Sequence, residues 1–303
     1  MKFRSIILKL SGVCLPAFKK SILTPLLNIA TGSGKRNTNK KKHSGSRLVL
    51  WIILTIGVSS FRIGTISFHK KIKEPSSPNL ILQFKATVHG QPLRLHEKYT
   101  NPFEETFELD MFRFYAGKIT ASYKGRLVKK IFSVSDYHLV DFADSATTSI
   151  TLWLPEGDYD EIQFQLGIDS IDQISGAQTG ALDPLKGMFW TWNSGYTSFK
   201  LGGISPESNE PAHTFFYHIG GYRSPNITVS IVKLAASGNL VFHVNKEGIA
   251  RLDIPIELDH FFNGLTPVHI RNIPACTTPG EPAHRLFENF AGLFTEIEIP
   301  EKP

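Results

Sequence analysis

The sequence predicts an all-β protein, an antiparallel β-sandwich with a long Gly/Trp-rich loop and a short C-terminal helix. Three observations carry that expectation. Apolar and polar residues alternate in steps of two wherever the chain is regular, turn-forming residues separate the runs, and helical spacing is convincing only once.

The run 80–88 sets the pattern: Leu80, Leu82, Phe84, Ala86 and Val88 alternate with Ile81, Gln83, Lys85 and Thr87, which describes a strand with one buried face. Residues 149–154, 161–166, 214–219, 227–234 and 240–244 read the same way. Pro155, Glu156 and Gly157 mark one turn, Ser237, Gly238 and Asn239 another, and Lys246, Glu247 and Gly248 a third. Short strands at close spacing fit a sandwich or barrel. Near the end, Ala283, Leu286, Phe287, Phe290 and Phe294 fall at steps of three and four, as a helix covering a sheet requires. No internal repeat interrupts residues 80–303, which read as one domain.

Charge divides the chain. Residues 1–73 hold 15 of the 33 Lys and Arg and none of the 27 Asp and Glu, so the remaining 230 residues carry 18 − 27, a net of −9. An acidic folded part removes the electrostatic case for nucleic acid, which needs a basic face to neutralise phosphates. The basic leader, 1–47, precedes an uncharged run at 48–61, LVLWIILTIGVSSF, in the order of a secretory signal. Fourteen residues is short for a membrane span, so the segment reads as a cleaved signal or as a membrane anchor, and the domain as periplasmic or extracellular. Residues 62–79 read as a linker. Beyond the leader Cys276 is the only cysteine, so the domain forms no internal disulfide and rests on its core.

Residues 167–196, GIDSIDQISGAQTGALDPLKGMFWTWNSGY, are the place to seek function, because long aperiodic loops in compact domains usually carry it. This loop holds Met188, Trp190, Trp192, Asp169, Asp172, Asp183 and five glycines. Three aspartates beside glycine carbonyls could supply oxygen ligands to calcium, although their spacing is not that of an EF-hand and such residues also cap turns. Trp190 and Trp192 fall on one face of an extended segment, either as a packed aromatic layer or as oxidisable indoles. His218, ahead of Gly220 and Gly221, is a candidate imidazole for a metal; His138 and Met188 are further candidates, with His213 and His96 available to complete a site. None of these histidines stands at tight metal spacing, so a site would be assembled from distant segments. No nucleophile with its base, paired carboxylates or phosphate loop supports an enzyme.

The motifs YAGKI (115–119), YHLVD (137–141), LPEGDYDEIQFQLGIDS, GALDPLKGMFWTWNSGY, HIGGY (218–222) and ENFAGLF (288–294) occur in order, and together they resemble the MbnP family of exported copper-binding proteins over roughly residues 80–299. The resemblance implies a secreted or periplasmic β-sandwich that binds copper, as Cu(I) or Cu(II), beside a dihaem peroxidase-like partner of the MbnH type that oxidises a tryptophan to kynurenine. Carried to this chain, it implies Trp190 or Trp192 for the modification and His218 for the metal. The best-known branch has four cysteines where this domain has Cys276 alone. The competing expectation is an exported interaction module that binds a polysaccharide or protein without metal.

Overall fold

The computed structural model describes residues 77–127, 132, 133, 135–191 and 194–300, all within one compact unit. The leader 1–47, the apolar run 48–61, the linker as far as residue 76, and Trp192 lie outside the described residues. No described helix is long and apolar enough to cross a membrane.

Among the described residues, nine longer strands form the main part of two sheets: β1 (Leu80–Val88), β2 (Thr106–Tyr123), β3 (Tyr137–Asp141), β4 (Ser149–Trp153), β5 (Glu161–Leu166), β6 (Phe199–Ile204), β7 (Thr214–Ile219), β8 (Ser230–Ala235) and β9 (Ala250–Glu257). The smaller sheet runs β9-β1-β4 and ends on the short strand Phe132–Ser133. The larger runs β8-β5-β2-β6-β7 and ends on Ala275–Cys276, with β3 also paired to β2. Pairing is antiparallel except that β1 lies parallel to β9, Leu80 opposite Ala250, and β7 parallel to Ala275–Cys276.

Alternation decides which side chains meet between the sheets. Phe84 of β1 meets Phe114 of β2 at 5.4 Å and Phe164 of β5 at 5.7 Å, both edge to face, a geometry that aromatic quadrupoles favour. The C-terminal helix covers this interior, as its spacing predicts. It spans Glu281–Ala291, with Phe290 stacked on Phe199 at 4.3 Å and Phe294, just beyond it, 5.6 Å from Phe114.

Some boundaries differ from the sequence reading. Asn79 already belongs to the fold, buried and exchanging hydrogen bonds with the Leu154 backbone at 2.8 and 2.9 Å. The strand expected at 227–234 starts at Ser230, because Thr228 bonds back to Gly221 and holds a turn there.

The loop 167–196 lies on the outer face of the larger sheet with a core of its own. Tyr115 and Tyr137 project from the sheet to meet Ile168, Leu182, Met188 and Tyr196 of the loop. Within it are one helical turn (Ser170–Ile174), two 3₁₀ turns (Gly180–Leu182 and Pro184–Lys186) and a hairpin of Phe189–Thr191 with Gly195–Tyr196. Gln173 ties the two halves, donating to Ile168 O at 3.3 Å and Tyr196 O at 3.2 Å. Gly195 is required where that amide packs: its φ is +69° and a Cβ would fall 2.0 Å from Gln173 Oε1.

Candidate functional site

Strand β7 presents Phe215, Tyr217 and Ile219 to the core and Phe216 and His218 to the outer face. Register then builds a row across the sheet: His218 opposite Lys200, Lys200 opposite Arg113, Arg113 opposite Asp141. Lys200 is 9% exposed and donates from Nζ to Gly187 O at 2.6 Å. Arg113 donates from Nη1 to Lys186 O at 3.3 Å and pairs with Asp141 at 3.2 Å. The loop therefore folds down over two cations of the row.

The His218 ring is half-buried. It touches the Phe216 ring at 5.8 Å and has no hydrogen bond among the described residues. Burial, with Lys200 and Arg113 adding to it, pushes its pKa down to about 4. The imidazole is neutral at physiological pH, with a ring-nitrogen lone pair uncommitted. The described histidine His138 contrasts with it, its Nε2 lying 2.6 Å from Ser133 Oγ.

Trp190 comes close to this imidazole's strand. His218 and Gly220 are two residues apart, so alternation places them on one face. A Cβ on Gly220 would fall 3.1 Å from Trp190 Cζ3 and 2.8 Å from Tyr196 O, so the missing side chain leaves the indole room against the backbone.

The other candidates do not join this cluster. His138 is opposite Ala116, a residue of the core between the sheets, and so sits on the inner face, while His218 sits on the outer one. Met188 is fully buried in the loop's own core, with its sulfur 3.4 Å from the Thr197 hydroxyl. Cys276 pairs with Tyr217 and packs toward the interior, away from His218.

The aspartates act within the loop. Asp169 caps the Ser170–Ile174 turn and is ion-paired with Lys118, whose ammonium is also 4.0 Å from Asp172. Asp172 accepts from the Tyr137 hydroxyl at 3.0 Å, and Asp183 caps the Pro184–Lys186 turn through Leu185 N at 2.9 Å. The position between Asp169 and Asp172 that calcium would take is held by an internal cation. Among the described residues no three His, Cys, Asp or Glu side chains converge on a metal position.

Sequence reasoning missed Lys200 and Arg113. Their place beside His218 follows from strand register, and no local spacing encodes it.

The sandwich, with a loop folded over the outer face of its larger sheet, defines a class of all-β domain in which the half-buried imidazole of His218 lies at the loop's edge. The chain belongs to the MbnP family, whose sequence profile matches residues 77–278. Among solved structures, MbnP from Methylosinus trichosporium is similar at 16% identity with a TM-score of 0.43, covering 66% of this chain and 83% of that one. No curated protein matches the chain.

Proposed function

We propose that this chain is an exported, periplasmic or extracellular copper-binding protein of the MbnP type, with His218 as a copper ligand and Trp190 as the indole that a dihaem MbnH-type partner converts to kynurenine. The observation that carries the reading is the half-buried, neutral, hydrogen-bond-free imidazole of His218 beside the Trp190 contact. Copper favours imidazole among protein donors, and an unprotonated ring can bind without first losing a proton. His218 fits as one ligand, with the Phe216 ring beside it and Trp190 packed against the backbone at Gly220, two residues further along. Copper, when bound, would supply redox chemistry at the His218 nitrogen. The residues of this chain contribute the His218 lone pair, the neighbouring Phe216 ring and the packing of Trp190 against Gly220.

Copper titration of the full-length protein, expressed with and without its dihaem partner, tests this. One copper retained after dialysis, lost in His218→Ala, is expected. A tryptic peptide that has gained one oxygen and lost one carbon at Trp190 is expected only with the partner. An unmodified mass together with no retained copper would overturn the reading.

A second reading, an exported module binding a polysaccharide or protein, is favoured by one observation. A cleft of about 440 Å³ opens just past Gly220, with Ser194, Tyr222, Arg223 and Asn226 in its lining. Retention on immobilised glycans by the copper-free protein would support it.

A further inference from the structure

We infer that Lys200 and Arg113 form a two-pronged latch that holds the Pro184–Lys186 turn and the hairpin strand after it against the sheet, and so positions Trp190 beside His218; the inference rests on the copper reading above. A nearly buried ammonium is costly unless something compensates it. Lys200 has no carboxylate opposite it: its register partners are His218 and the cation Arg113. What it does have is the Gly187 carbonyl at 2.6 Å, while Arg113 takes the Lys186 carbonyl at 3.3 Å. Two cations on adjacent strands thus hold two successive carbonyls where the 3₁₀ turn ends.

The chain leaves that turn through Gly187 at φ +74° and enters the strand Phe189–Thr191 directly. Met188 is the single residue between latch and strand, fixed by its buried side chain and by Thr197 N donating to its carbonyl at 2.8 Å. Trp190 is therefore three residues from the Lys200 contact, along a segment with little freedom to adjust. Release of the latch frees the indole from Gly220 without altering the indole itself, and since Lys200 also stands opposite His218, hydrogen exchange of the 186–191 segment is the readout that isolates the positioning effect. Lys200 and Arg113 are positioning residues in this scheme.

The test uses the full chain as Lys200→Met and Lys200→Arg. Hydrogen exchange of the amides between 186 and 191 is expected to quicken about tenfold in Lys200→Met, the loss of one charge-assisted hydrogen bond, with β1 and the C-terminal helix unchanged. Copper affinity should fall by a similar factor. Lys200→Arg, which keeps the charge and a donor, should restore both. Should Lys200→Met fail to fold, Arg113→Gln opens the other prong and is read the same way. Unchanged exchange in this segment overturns the latch. A wild-type protein that binds no copper overturns the copper reading instead, and leaves the latch to be judged on exchange alone.

Discussion

Glu105 is fully buried, and its carboxylate ties two distant turns together. One oxygen accepts from Asn101 Nδ2 at 2.8 Å and Ile270 N at 2.7 Å, the other from Arg271 N at 3.1 Å and Arg271 Nε at 2.8 Å. The strap beyond Arg271 runs along β7, with Tyr217 donating to Ile273 O at 2.8 Å, so Glu105 supports the strand that carries His218. In Glu105→Gln one oxygen becomes an NH₂ that faces two donors. Asn101 cannot turn to help, since its Oδ1 already accepts from Phe103 N and Glu105 N. The less costly orientation points the NH₂ at Arg271, whose half-exposed guanidinium can turn to water while its backbone N–H loses its acceptor. One stranded donor costs about 1–3 kcal/mol, and the two surviving bonds lose their charge assistance at roughly 1 kcal/mol together, for a total of about 3 kcal/mol. Urea unfolding measures this as a lowered midpoint at unchanged slope. A loss below about 1 kcal/mol would refute the reasoning, because it would mean water reaches the site. The pH dependence has a definite sign. Burial pushes the Glu105 carboxyl up, but hydrogen bonds from Asn101, Arg271 and Ile270 outweigh it and hold the pKa below the usual carboxylate range. The contribution is thus full above the unfolded carboxylate's pKa and lost as pH falls through the lower folded value. The gap between wild type and variant should close in acid.

Gly220→Ala should displace the indole: its Cβ would meet backbone at 2.8 and 3.1 Å, atoms that cannot rotate away. A loss of about 1–3 kcal/mol in thermal unfolding, with weakened copper binding, is expected. The His218 ring should titrate near pH 4 by NMR in the copper-free protein, against about 6.5 for a free histidine. Since the unfolded ring takes its proton first, this group's contribution to stability falls as pH drops from about 6.5 toward 4. Millimolar calcium should shift the melting temperature by less than about 1 °C, because Lys118 already stands between Asp169 and Asp172; a larger rise would restore the calcium reading of the loop.

The parts of the fold with one wet and one dry face were legible in the sequence. The alternation of β1 and β5 and the helical spacing of Ala283 to Phe290 each reflect a single buried side. The longest strand, β2, was not legible, and the reason is physical. Tyr115, Ala116 and Gly117 are buried in succession because the interior lies beneath and the 167–196 loop lies above, so covering both faces erases the period of two. β9 was hidden similarly: Leu252, Asp253 and Ile254 are buried in a row, and Pro255 looks like a strand breaker. For the site, His218 could be singled out from its strand and the glycines after it. That His138 faces the other way depends on its pairing with Ala116, and the nearness of Lys200 and Arg113 depends on two further registers. Pairings between segments so far apart in sequence leave no local trace.

The parallel union of β1 and β9 bears on how the molecule is made. The first strand of the smaller sheet finds its long partner about 170 positions later, and the Lys85 ammonium reaches the Asp253 carboxylate at 2.5 Å across that seam. A chain emerging from the ribosome holds the β1 edge unsatisfied until nearly all of the polypeptide has been synthesised, and such non-local closure is slow. Late completion of this kind leaves one side of the smaller sheet open to folding helpers through most of synthesis, and closes it only when the strand at Ala250–Glu257 arrives.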